Sequence, residues 1–157
     1  MNLKNNDTIL VPVGTVEREK IDRNVLVWLN QFPGLPEGIN KDMITPESHL
    51  LPDIPGMALS TITTAYVNRR YILGGYEADY NFNVVYRIKP GKDMSMSLGA
   101  NELLNRLGEW ASRNKPDLGE GIQVVRVSPT SPARLYSPYE NGDEDHQITM
   151  KITYEVI

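Results

Sequence analysis

The sequence predicts an α+β fold, an antiparallel or mixed β-sheet built on a long β-hairpin with two amphipathic α-helices packed on one face. Three observations carry this. Ala78, Tyr80, Phe82, Val84, Tyr86 and Ile88 recur at every second position between polar residues, the period of a half-buried strand. A Thr-, Tyr- and Val-rich segment, Thr61 to Leu73, leads into that strand through Gly74-Gly75. Two other stretches carry apolar residues at helical spacing, around Ile21–Phe32 and Met96–Ala111.

Two adjacent glycines can supply the positive φ angles of a two-residue hairpin turn. With Gly74 and Gly75 as that turn, Leu73 faces Tyr76, Tyr71 faces Ala78, Val67 faces Phe82, Ala65 faces Val84 and Thr63 faces Tyr86, all on one apolar face. The other face pairs Arg70 with Asp79, Asn68 with Asn81 and Ile62 with Arg87. A slip of one residue would mix the faces. Arg69 is the exception on the apolar side, expected beside Tyr80 at the solvated end with its stem across the ring.

The remaining elements follow in chain order. Residues 1–14 have weak periodicity, and read as a short strand or as a flexible arm that docks on a neighbouring chain. Thr15 is a candidate N-cap, with Glu17 and Glu19 in the first turn where the helix dipole favours negative charge. Ile21, Val25, Trp28, Leu29 and Phe32 form one stripe, which Pro33-Gly34 stops. From Pro33 to Gly56, five prolines prevent any long element. That segment is either functional and interface-forming or a surface crossing pinned by Ile44, Leu50, Leu51 and Ile54.

After Pro90-Gly91, Met96, Ala100, Leu103, Leu104, Leu107, Trp110 and Ala111 mark a second helix from about Ser95 to Arg113. Gly99 and Gly108 weaken it by roughly 1 kcal/mol each relative to alanine, which packing must offset. A strand is expected over Ile122–Val127, broken by Ser128-Pro129 and Ser131-Pro132, then an extended piece at Ala133–Tyr136 and an acidic turn from Glu140 to Asp145. Ile148, Met150, Ile152, Tyr154 and Val156 alternate as the closing strand. The whole, residues 1–157, reads as a single domain.

Composition narrows the function. The chain of 157 residues has no cysteine, which excludes thiol catalysis and zinc–thiolate sites and fits a reducing compartment. A net charge of -4 provides no basic footprint for nucleic acid. No run approaches the roughly 18 apolar residues of a membrane span, and no signal-peptide pattern opens the sequence, so a soluble chain is expected.

Chemical motifs are sparse. His49 and His146 are far apart and each is expected in or beside a solvated loop. Asp143, Asp145 and His146 invite a metal reading, but the spacing is not that of an EF-hand and a charged hairpin tip explains it. No serine elbow or phosphate-cradling glycine loop is present. Glu77 and Asp79 alternate onto a polar strand face and read as solvated. The expectation is no catalytic residue, metal or cofactor, and a role in assembly. A different class, a small-molecule-binding or catalytic α+β domain with His49 at the mouth of its site, is the alternative.

The run Arg69-Arg70-Tyr71-Ile72-Leu73-Gly74-Gly75-Tyr76-Glu77-Ala78, the Tyr80-Asn81-Phe82 strand, and Glu102-Leu103-Leu104-Asn105-Arg106-Leu107-Gly108-Glu109-Trp110 together resemble a known group. They are similar to the minor capsid proteins of Firmicutes-type siphophages, which are like tail terminators. The resemblance covers Thr61 to Trp110 and the order of elements elsewhere. It implies a virion protein, assembled in the host cytoplasm as a homo-oligomeric, hexameric ring. Such a ring caps the tail tube, meets the major tail tube protein and the head–tail connector, and lets DNA pass through its lumen without sequence-specific contact. It implies no enzyme activity, and a head-completion or neck protein is the near alternative. The candidate interaction residues are Arg69, Arg70, Gly74, Gly75, Glu77 and Asp79 on the hairpin and Glu140, Asp143, Glu144 and Asp145 in the acidic turn.

Overall fold

The computed structural model describes residues 11–36, 44–46, 56–61, 65–91 and 94–157. It is an α+β fold in two layers, a mostly antiparallel sheet with two helices on its apolar face. The sheet's axis is β5 (Tyr76–Ile88), whose alternation is the strongest signal in the sequence. Along its whole length β5 pairs antiparallel with β7 (Glu144–Val156). On its other side lie β4 (Tyr66–Arg70) near the start and β3 (Gly56–Thr61) near the end.

The expected long hairpin therefore exists, as a ribbon made by β3 and β4 against β5, but its register differs. Val67 faces Ala78, not Phe82, and Arg70 faces Tyr76, not Asp79. On β3, Leu59 faces Val84 and Met57 faces Tyr86. The expected partners Ile62 and Thr63 lie outside the described residues. A bulge between Val67 and Arg69 shifts the pairing further, and places Arg69 opposite Glu77 and away from Tyr80.

The outer strands complete the sheet. β1 (Val11–Pro12) pairs antiparallel with β4, and Val13 donates its N–H to the Ala65 carbonyl at 2.9 Å, so residues 11–13 of the expected arm are docked. β2 (Ile44–Pro46) runs parallel to β3, with Ile44 buried. Leu50, Leu51 and Ile54, the other expected pins of the proline-rich segment, fall outside the described residues, as do residues 1–10.

The expected short strand and extended piece of the C-terminal third are one strand, β6 (Ile122–Pro138), paired with β7. Ser131-Pro132 does not end it. The ladder absorbs the prolines through register shifts at Val124/Arg126, Pro129/Ser131, Ser131/Arg134 and Leu135/Ser137. Among the described residues β6 pairs only with β7, and prolines on such an edge discourage further pairing.

Helix α1 (Thr15–Leu29) starts one residue earlier than expected, with Gly14 and not Thr15 at the cap, and buries Ile21, Val25, Trp28 and Leu29. Phe32 continues the stripe as a buried residue in the following turn. Helix α2 (Ser95–Arg113) buries Ala100, Leu103, Leu104, Leu107, Gly108 and Ala111. Gly108 explains itself by close approach, since a Cβ there would lie 2.8 Å from Ile148 Cδ1 and 3.0 Å from Pro129 Cγ. The helices meet through stacked Trp28 and Trp110 rings with centroids 5.5 Å apart, and Trp28 Nε1 donates to the Asn114 carbonyl at 2.6 Å. Beneath α1, the Tyr80 hydroxyl donates to Asp22 at 2.6 Å, and the Tyr154 and Tyr76 hydroxyls both donate to Glu17. Polar handles thus anchor the helix over an otherwise apolar layer.

Candidate interaction surfaces

All the expected interaction residues but Asp79 separate into two groups at opposite ends of β5. Thirteen residues at about 3.3 Å each place them about 40 Å apart. The first group surrounds the hairpin tip. Gly74 and Gly75 both have positive φ, at 100° and 83°, as the sequence implies, yet they close a longer turn than two residues. Tyr71 N donates to the Gly75 carbonyl at 3.1 Å and Gly74 N to the Tyr71 carbonyl at 3.2 Å. A side chain at Gly75 would run into the Val156 carbonyl oxygen, so its requirement for glycine is twofold.

That turn ejects two residues from the ribbon. Ile72 and Leu73 are 101% and 100% exposed, whereas the two-residue turn would have kept Leu73 on the apolar face. Around them the side chains are braced. Arg69 pairs with Glu77 at 3.2 Å, and the Tyr71 hydroxyl donates to Glu155 at 2.6 Å. The bond to Glu155 holds the Tyr71 phenol above its ordinary range, with burial adding to the effect. Arg70 lies exposed, its guanidinium carbon 5.7 Å from the Tyr76 ring centroid.

Asp79 belongs to neither end. It sits on the helix-free sheet face and accepts from Thr153 Oγ1 at 2.7 Å, while farther along the same face Thr149 Oγ1 donates to Asn83 at 2.8 Å. Glu77 and Asp79 are thus half-buried and partnered, not simply solvated, because β4 and β7 flank β5 on both sides.

The second group lies at the β6–β7 turn. Only Glu140 of the four acidic residues is fully exposed, and the expected solvated acidic tip is instead partly inside the protein. Asp145 is buried and takes both Arg87 nitrogens, Nε at 2.7 Å and Nη2 at 3.0 Å, together with the Tyr139 hydroxyl at 2.6 Å. The bond to Asp145 raises the pKa of both Arg87 and Tyr139. Asp143 is 7% exposed. Its Oδ2 accepts from Asn141 Nδ2 at 2.9 Å, and its Oδ1 is buried with no hydrogen-bond partner among the described residues. An open cavity of about 460 Å³ lies here, lined by Arg87, Tyr139, Glu140, Asn141 and Asp143.

His146 corrects another expectation. It is 1% exposed within β7, with Nδ1 2.8 Å from Asn101 Oδ1 and Nε2 2.9 Å from Glu144 Oε1. The Ser97 hydroxyl also donates to Glu144, at 2.7 Å, and the two bonds hold that carboxyl below its ordinary range. The ring therefore ties β7 to the first turns of α2. The short spacing to α2 in space, not in sequence, is what hid it. Among the described residues no group of three or more His, Cys, Asp or Glu side chains could hold a metal ion. His49 lies outside the described residues. Among the described residues no helix is long and apolar enough to cross a membrane.

No protein-family model matches the chain, and no curated protein matches it either.

Proposed function

We propose that this chain is a structural subunit of a phage virion, a tail terminator whose homo-oligomeric ring caps the tail tube, stops its polymerisation and joins it to the head connector. The observation that carries the reading is the braced hairpin tip, which presents Ile72 and Leu73 wholly to solvent on an ordered turn. Burying such a side chain is worth about 1.5–3 kcal/mol, so a rigid tip of this kind favours insertion between protein subunits. The likeness of the hairpin and α2 motifs to siphophage terminator-like proteins supports the same role. In a hexameric ring, the net charge of -4 would keep passing DNA from adhering, since phosphates are repelled by like charge. The role calls for no cofactor and no turnover, and places the protein in the virion after assembly in the host cytoplasm.

Electron microscopy of particles produced without this protein tests the proposal. Overlong tail tubes are the expected result. Filled heads without tails would move the assignment to a head-completion or neck protein, and particles of normal morphology would refute both.

A further inference from the structure

The two ends of the sheet differ in a way that suits them to one another. One end carries Ile72 and Leu73, fully exposed, with exposed Arg70 beside them. The other carries the cavity beside Tyr139, where Arg87 is already committed to Asp145 and neither Glu140 nor Asp143 is ion-paired among the described residues. Asp143 Oδ1 is moreover a buried acceptor without a donor among the described residues, which disfavours leaving it unpaired. At about 460 Å³ the cavity falls within the range of about 300–1,000 Å³ that ligand sites occupy, and the Tyr139 ring gives it an apolar wall.

We infer that the hairpin tip of one copy docks into the Tyr139–Asp143 cavity of the next copy, with Ile72 and Leu73 as apolar anchors and Arg70 facing Glu140 and Asp143. The occupant is a second copy of this chain because a single sequence carries both the cationic, apolar plug and the anionic, open socket. They lie about 40 Å apart along one rigid strand, so a chain cannot fill its own cavity. A contact between two different patches is head-to-tail, and repeats of it close into a ring or run on as a filament. This inference rests on the assembly reading above and specifies the subunit contact that the reading leaves open.

The absence of cysteine makes a direct test clean. Leu73→Cys and Asn141→Cys single variants of the full chain, mixed and mildly oxidised, should yield the 73–141 disulfide in excess over both same-site dimers. In parallel, sedimentation across a concentration series should show self-association of the wild type. The Ile72→Ser/Leu73→Ser variant should weaken it by at least about tenfold, the cost of losing interface anchors. Arg70→Glu and Glu140→Arg should each weaken association and, combined in one chain, restore it. All these positions are exposed, and circular dichroism confirms that each variant folds. A statistical mixture of disulfides, or association unchanged in the tip variant, overturns the docking. The assembly reading stands or falls separately, on particle morphology.

Discussion

The tyrosine–carboxylate network beneath α1 should make the protein sensitive to alkali in a way that two substitutions can isolate. Tyr80 and Tyr154 are 1% and 0% exposed, and each donates its hydroxyl to a carboxylate of α1. Burial first, and then those hydrogen bonds, hold both phenols far above their ordinary pKa near 10. Below pH 10 both folded and unfolded chains keep these protons, and the stabilisation is complete. Above it the unfolded chain releases them while the folded chain does not, so stability falls as pH rises.

At pH 11 each tyrosine should have removed about 1.4 kcal/mol, and the two together about 3 kcal/mol. That is a large share of the roughly 5–15 kcal/mol that holds a domain folded, and corresponds to a drop in Tm of roughly 6–12 °C. The assay is urea unfolding followed by tryptophan fluorescence, which the stacked Trp28 and Trp110 report, at pH 8, 10 and 11. Other tyrosines contribute to the wild-type slope, so the decisive quantity is the difference from Tyr80→Phe/Tyr154→Phe. The variant should be less stable at pH 8, having lost two hydrogen bonds to charged groups, each worth about 1.5–3 kcal/mol. The gap should narrow by about 3 kcal/mol at pH 11. Parallel curves across that range would refute the argument.

Three further predictions rest on other contacts. Arg87→Met strands the buried Asp145 carboxylate, and should destabilise the protein by about 3–5 kcal/mol in urea unfolding, with part of the loss recovered in Arg87→Met/Asp145→Met. Gly108→Val drives a side chain into Ile148 and Pro129 and should cost about 1–3 kcal/mol by calorimetry, whereas Gly99→Ala, with open space around it, should stabilise by roughly 0.5–1 kcal/mol. Glu144→Gln should flatten the loss of stability under acid. The wild-type carboxyl is held below its ordinary range, so its contribution is present at neutral pH and disappears as pH falls below about 4.5 through the folded value.

What the sequence made legible is whatever depends on a residue's own side chain and its immediate spacing. The alternation of Tyr80, Phe82 and Val84 sufficed for β5, and that of Ile148, Ile152 and Tyr154 for β7, because a two-layer fold buries one face of each. The α2 stripe was legible for the same reason, whereas which of its two glycines marks close packing was not, since Gly108 abuts Ile148 and Pro129 and Gly99 has open space. Contacts between distant segments were not legible. Nothing local to His146 announces that Asn101, 45 positions away, will take its Nδ1, or that Arg87 waits for Asp145 across 58 positions. The acidic turn looked solvated because charge run and burial are independent until β5 and β7 are paired.

The hairpin shows how such a limit conceals a surface. Side-chain alternation has a period of two, so it excludes a slip of one residue and is blind to a slip of two, four or six. The expected pairing of Val67 with Phe82 and the observed pairing with Ala78 differ by four and keep Val67 on the same face, whereas beyond the bulge Arg70 moves from Asp79 to Tyr76, a shift of three that exchanges the faces of Arg69 and Arg70. The two-residue turn satisfies the glycines equally well, and in it Leu73 is one more member of the apolar face. In the longer turn, with its bulge at Val67/Arg69, the ladder ends at Arg70–Tyr76, and Ile72 and Leu73 have no ladder partner among the described residues. The bulge and the longer turn, neither of which the hydrophobic pattern announces, are therefore what leave Ile72 and Leu73 outside the ladder as a plug. If Gly74 and Gly75 were replaced by a strict type I′ pair such as Asn-Gly and the loop shortened by removing Ile72 and Leu73, the fold should persist while head-to-tail association disappears.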